Sequence, residues 1–201
     1  QNYYVMDDVE RTTSWVGKVG LIYPSDFVYS VDGANWSDDE GSYSYTRDEC
    51  IDGFVGGCYS NASWMWANAN DNPIRTITPS SKPDSSQTMF AAPGKPSAVP
   101  AYYTYNINPV VYLSNKAIIS GGNGTSSNPY TIELGESKNT DNDYGLVEKN
   151  QGYAQFVQDN ADDHNYRFIG ADPNNYVTFN NETWRIIGIF KTEDKNGVES
   201  Y

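Results

Sequence analysis

Apolar and polar residues alternate with a period of about two along several stretches of the chain, the spacing of half-buried strands. The pattern is clearest near the C-terminal end. There "YVTF" (176–179) meets the polar pair Asn180-Asn181, the run "TWRIIGIF" (183–190) follows, and a charged turn ends in Asn196-Gly197. This predicts a β-hairpin about Asn180-Asn181 and the opening of a β-meander. Strand-like runs also cover residues 14–31, 75–81 and 105–120, and a Gly-rich turn from Gly121 leads into a short strand that ends at Leu134. Within the first of these runs, "YPSD" (23–26) reads as a turn or helix cap. A Pro/Ser-rich loop is expected up to Ala101, and "SNASWMW" (60–66) reads as a compact aromatic cluster of the core. Residues 135–165 are polar and poor in β-branched side chains; Leu146, Val147, Tyr153, Phe156 and Val157 form a weak apolar stripe that predicts one short helix in a connector. The predicted class is β-rich α+β, with long irregular loops and little helix.

Composition points the same way. The chain has 201 residues, 17 of them tyrosine, and leucine is scarce beside Asn, Ser, Thr, Gly and Asp. Aromatic and β-branched residues suit strands and the small polar ones suit turns, as in secreted β-rich proteins. Thirteen basic against 26 acidic residues leave a net charge of −13, which repels phosphate and argues against nucleic acid and anionic membranes. No run approaches the roughly 18 apolar residues of a membrane span. The chain begins at Gln1 without Met, which reads as a processed protein or a fragment.

Cys50 and Cys58 flank "IDGFVGG", whose glycines let the chain turn back. We read them as a local disulfide in an oxidising compartment, the other reading being two buried thiols. His164 is the only histidine and sits in the acidic "DNADDHN", so neither a histidine-rich metal site nor a catalytic triad has its usual parts. No catalytic residue is assigned, and no cofactor is expected. Calcium is the one metal the residue types admit, at Asp141 and Asp143 or at Asp159, Asp162 and Asp163, but the spacing is not that of an EF-hand and a solvated loop is the preferred reading. Trp36, in a polar loop with Asn35, Asp38 and Asp39, is the candidate ligand-binding group: an aromatic face stacks while amides and carboxylates bond to hydroxyls. Its alternative is a Trp folded back over the core. Trp15, Trp64, Trp66 and Trp184 lie in apolar runs and are assigned to the core.

Taken together, "WVGKVGLIYPSDF", the cysteine pair with "ASWMW", "RTITPSS", "INPVVYLSNKAIISGGNGTSSNPYTI" and "YRFIGADPNNYVTFNNETWRIIGIF" resemble secreted and surface-anchored proteins of gut bacteria. Their domain is similar to the C-type-lectin-like fold, in the group that includes formylglycine-generating-enzyme-like domains. The resemblance covers about three quarters of the chain and implies a C-type-lectin-like core in which Asn108–Leu113 is the central strand. The order is permuted relative to that family. Residues 1–134 resemble the late half of a module, 135–165 a polar connector, and 166–201 the opening hairpin of the same permuted module or of the next one. The calcium motifs of lectins are absent from the sequence, and no catalytic residue carries over.

The resulting expectation is an extracellular, non-enzymatic surface module for adhesion or for binding a glycan or a host or bacterial surface protein. The alternative is a structural subunit of a filament or array, assembled by strand exchange between copies through Tyr176, Phe179, Trp184, Ile186 and Phe190.

Overall fold

The computed structural model describes residues 3–6, 9–12, 19–32, 63–67, 74–79, 87–92, 95–100, 102–113, 117–135, 145–159, 164–193 and 199–200. Cys50, Cys58, Trp15 and the Asn35, Trp36, Asp38, Asp39 loop lie outside these residues. The described chain is strand-rich, with short helices. In chain order its first elements are β1 (Tyr3–Met6), β2 (Val9–Thr12), β3 (Val19–Leu21), α1 (Pro24–Tyr29), α2 (Trp64–Ala67) and β4 (Ile74–Pro79). Next come β5 (Gln87–Ala92), β6 (Lys95–Pro100), β7 (Asn106–Ile107), β8 (Pro109–Val111), β9 (Ala117–Gly121), β10 (Tyr130–Leu134) and α3 (Leu146–Lys149). The last are β11 (Phe156–Gln158), β12 (Tyr166–Phe168), β13 (Tyr176–Phe179), β14 (Glu182–Arg185), β15 (Gly188–Ile189), β16 (Thr192–Glu193) and β17 (Glu199–Ser200).

The hairpin expected at Asn180-Asn181 forms. Both residues have positive φ, 53° and 62°, the conformation of a tight two-residue turn that matches strand twist and that Asn tolerates. It joins β13 to β14, with Phe179 opposite Glu182 and Val177 opposite Trp184. On its other side β13 runs parallel to β10, giving the sheet order β14-β13-β10-β9. The apolar run after Arg185 does not continue as one strand. The chain leaves that sheet at Ile186-Ile187, and Gly188-Ile189 pair with β12 in the sheet β11-β12-β15. Glycine permits this crossing, since a Cβ at 188 would sit 2.1 Å from the Tyr166 carbonyl oxygen.

Two other stretches differ from the predicted pattern. Residues 24–29 are helical rather than extended, and local chemistry explains it. Pro24 opens the helix, where its missing N–H costs nothing. The Asp26 carboxylate reaches back to accept the Tyr23 N–H at 3.2 Å while the Asp26 N–H donates to the Tyr23 carbonyl at 3.2 Å, a reciprocal N-terminal cap. In the region read as a Pro/Ser-rich loop, β5 and β6 pair in full register from Gln87↔Pro100 to Ala92↔Lys95. The prolines at 96 and 100 are compatible with this because β6 is the outer strand of the sheet β6-β5-β4-β7.

The largest apolar cluster joins Ile119, Tyr130, Leu146, Phe156, Phe168, Val177 and Ile189, with Trp184 and Ile186 packed against it. Leu146 and Phe156 thus bring the polar 135–165 stretch into this core. Tyr130 is buried and its hydroxyl donates to Asn150 Oδ1 at 3.2 Å, which also closes the end of α3. Phe27 and Val31 are fully buried near the other end of the chain, with Ile22, Trp64, Met65 and Ile74 also buried.

The two regions are stitched together by backbone and charge. The Gly170 N–H donates to the Ser30 carbonyl at 3.0 Å, the Trp64 N–H to the Gly170 carbonyl at 2.7 Å, and the Trp64 indole N–H to the Phe168 carbonyl at 3.0 Å. Arg167, buried on β12, donates from Nη1 to Asp26 Oδ1 at 2.7 Å and from Nε to Asp159 Oδ2 at 3.1 Å. Its guanidinium also lies over the rings of Phe190 at 4.3 Å and Tyr29 at 4.8 Å.

Replacing Arg167 with Met keeps the bulk but leaves two buried carboxylates without their cation. The expected loss of stability is about 3–5 kcal/mol, read as a fall in the urea midpoint. A loss below about 1 kcal/mol would show that the triad does not hold these segments together.

Candidate functional site

Where β14 passes the N-terminal half of the chain, it leaves a cavity of about 580 Å³. Its apolar lining comes from Ile22, Phe27, Trp64, Met65 and Val110, and Ile187 and the residues of β14 complete it. Trp64 starts α2 and is held by the two hydrogen bonds already described, so its ring is fixed by the β12–Gly170 backbone rather than by rotamer choice alone. Trp184 projects from β14 between the main core cluster and the cavity. A volume of this size with mostly apolar walls and a few converging polar groups is the usual form of a ligand site.

The polar groups are Asn108, Glu182, Thr183 and Arg185. Arg185 is the most constrained. Its guanidinium lies over the Tyr176 ring at 3.9 Å and the Trp64 ring at 4.7 Å. It donates to Asn175 Oδ1, to the Pro173 carbonyl at 3.3 Å and, weakly, to Asp172 Oδ1 at 3.5 Å. Burial lowers its pKa from the ordinary arginine value, opposed by Tyr176 and Asp172. The side chain therefore stands as an oriented cation in partly desolvated surroundings, where a hydrogen bond to a ligand acceptor is stronger than in water. Glu182 is exposed beside it on the same strand, so the cavity mouth carries both signs of charge.

One atom at the site is out of balance. The Trp184 indole Nε1 is buried and donates to nothing among the described residues. A buried donor without an acceptor costs about 1–3 kcal/mol, and an indole N–H can only donate.

The cavity also meets the strand edges. Four consecutive residues of β14, 182 to 185, and three consecutive residues around β8, Asn108, Pro109 and Val110, line it. Side chains alternate between the faces of a strand, so a run of consecutive lining residues means that the cavity meets the backbone edge. β14 is the outermost strand of its sheet, and β8 pairs only with β3 among the described residues.

The hairpin residues assigned to assembly fall into two groups. Trp184 and Ile186 pack on the core, Tyr176 stacks on Arg185, and Phe190 covers Arg167 and meets Tyr112 edge-on at 6.4 Å. Phe179 is exposed beside the turn. The Asn35, Trp36, Asp38, Asp39 group lies outside the described residues. Of the acidic stretch "DNADDHN", Asp159 is committed to Arg167 and to the Asn165 N–H at 3.1 Å, while His164 Nδ1 lies 3.4 Å from the Asp159 carbonyl oxygen. Among the described residues, no group of three or more His, Cys, Asp or Glu is placed to hold a metal ion, and no helix is long and apolar enough to cross a membrane. Reading from sequence missed Arg185 and Glu182 as site residues. The signal available was an acid and a base three apart on a strand next to a two-residue turn, too common a pattern to single out.

Trp184→Phe keeps an aromatic ring and removes the orphaned donor. We expect unchanged or slightly raised stability, by about 1 kcal/mol, in urea denaturation. A loss of more than about 1 kcal/mol would mean that the lost packing of the larger ring, or an acceptor for the indole N–H, outweighs the orphaned donor.

No protein family, curated protein or solved structure compared with the chain matches it.

Proposed function

We propose that the chain is an extracellular, non-enzymatic module of a bacterial surface protein, built on a C-type-lectin-like core, and that it binds a glycan or protein ligand in the cavity between Trp64 and Trp184. The observation that carries this reading is the cavity itself: about 580 Å³, lined by the apolar Ile22, Phe27, Trp64, Met65 and Val110 and by the polar Asn108, Glu182, Thr183 and Arg185. Aromatic walls offer area at low entropic cost, and the planar polar groups fix orientation. The net charge of −13 disfavours polyanionic partners and favours neutral or basic ones.

Immobilised glycan and peptide arrays test the reading. The wild-type chain is expected to be retained on at least one array, and Glu182→Ala to weaken retention roughly tenfold, about 1.4 kcal/mol, near the lower end for a hydrogen bond to a charged group. Glu182 is exposed, so the urea midpoint of the variant should match that of the wild type. No retention of the wild type on either array, or retention indifferent to Glu182, would sink the proposal.

A further inference from the structure

We infer that the occupant of the cavity is an extended peptide segment of a neutral or basic partner chain, added as a strand to the open edge of β14. The inference rests on the cavity being a binding site and names its ligand class.

The hydrogen-bond register gives the reason. The Ile186 N–H donates to the Asn175 carbonyl at 2.8 Å, toward β13, and the Tyr176 N–H donates away from β14, to the Gly124 carbonyl at 2.9 Å. Bonding direction alternates along an antiparallel pair. Given Tyr176↔Arg185, Val177↔Trp184 and Thr178↔Thr183, Trp184 bonds inward to β13, whereas Thr183 and Arg185 point their N–H and C=O groups outward. Those outward groups have no backbone partner among the described residues, and residues 182–185 line the cavity. One added strand would take up all four groups, with about 13 Å of edge available at roughly 3.3 Å per residue.

The surroundings fit a peptide better than a sugar ring. On one side of the slot, alternate side chains of an extended segment meet the apolar wall of Ile22, Phe27, Met65 and Val110. Charge distinguishes a partner from a second copy of this chain: two chains of −13 each repel, while a lysine-bearing segment is attracted. Strand addition of this kind takes affinity from main-chain bonds and selectivity from alternate side-chain pockets.

The probes are a blocked heptapeptide of alternating valine and threonine with a lysine at each end, and the same peptide N-methylated at alternate amides in each of the two possible phases. Titration is followed by calorimetry and by amide hydrogen exchange on the wild-type chain. The expected result is binding of the unmethylated peptide with slowed exchange at Thr183 and Arg185. One N-methylated phase should bind at least tenfold more weakly. Thr183→Pro removes an outward N–H at an edge position where proline is tolerated, and should weaken binding by a similar factor.

Equal binding of all three peptides, binding without protection at Thr183 and Arg185, or no binding of the unmethylated peptide up to millimolar concentration would overturn strand addition. So would a dimer in sedimentation whose formation Thr183→Pro abolishes, which would assign the edge to a second copy. If glycan retention survives Thr183→Pro while the peptide fails, the cavity is still a ligand site and only the ligand class is wrong. If arrays and peptide both fail, the binding reading falls with it.

Discussion

Arg167 is the point on which distant parts of this chain converge. One buried guanidinium binds Asp26 on α1 and Asp159 after β11, and two aromatic rings, one from α1 and one from the segment after β15, close over it. Removing a carboxylate from water costs several kcal/mol, and the attraction within a pair offsets this only when geometry is good and the remaining lone pairs are satisfied. Both conditions are met. Asp26 also accepts the Tyr23 N–H and Asp159 also accepts the Asn165 N–H. Each carboxylate thereby performs a local task, capping a helix or clipping a loop, and a long-range one. The cluster ties distant segments to one point, although an apolar replacement of the whole set can be as stable as the ions.

That convergence determines where the cavity lies. β12 carries Arg167 toward α1, and the same strand accepts the Trp64 indole hydrogen bond at Phe168, so α1, α2 and β12 are set relative to one another. β14 reaches the same neighbourhood from the other sheet, and the chain then switches sheets at Ile186-Ile187 to return beside β12. A continuous strand from 183 to 190 would have carried the edge straight on. The switch ends β14 after four residues, and among the described residues no strand pairs with its outer edge beside Trp64 and β8. Exposed edges are usually blunted by charge, proline or brevity. β14 has two of these protections, shortness and the Glu182/Arg185 pair, while β8 opens on Pro109. Such features guard an edge against indiscriminate pairing, and the outward groups of Thr183 and Arg185 have no backbone partner among the described residues.

Arg185 shows how the same residue type serves two ends in one fold. Arg167 is buried and fully committed to carboxylates. Arg185, between the rings of Trp64 and Tyr176, has a neutral amide, a carbonyl and one distant, exposed carboxylate as partners. Its charge is oriented but little neutralised. Its surroundings thus fix its orientation with one exposed carboxylate as the only counter-charge among the described residues.

What the sequence determined by itself was local. Period-two alternation marked β13 and β14, the Asn180-Asn181 turn followed from the tolerance of Asn for positive φ, and the scarcity of leucine and helix formers pointed to a strand-rich chain with short helices. Each of these depends on residues within a few positions of one another. Pro24 and Asp26 carried a legible helix start, but the apolar residues around them read equally well as strand, because a six-residue helix is too short for its period to stand out. Tertiary structure decided the rest. Only packing shows that Arg167 meets Asp26 across 141 positions, that one apolar run is divided between two sheets at a glycine, and that Trp64, Trp184 and Val110 border one cavity. These depend on which strand lies beside which, and that is set by long-range pairing and by where a buried charge finds its partners, neither of which leaves a periodic trace along the chain.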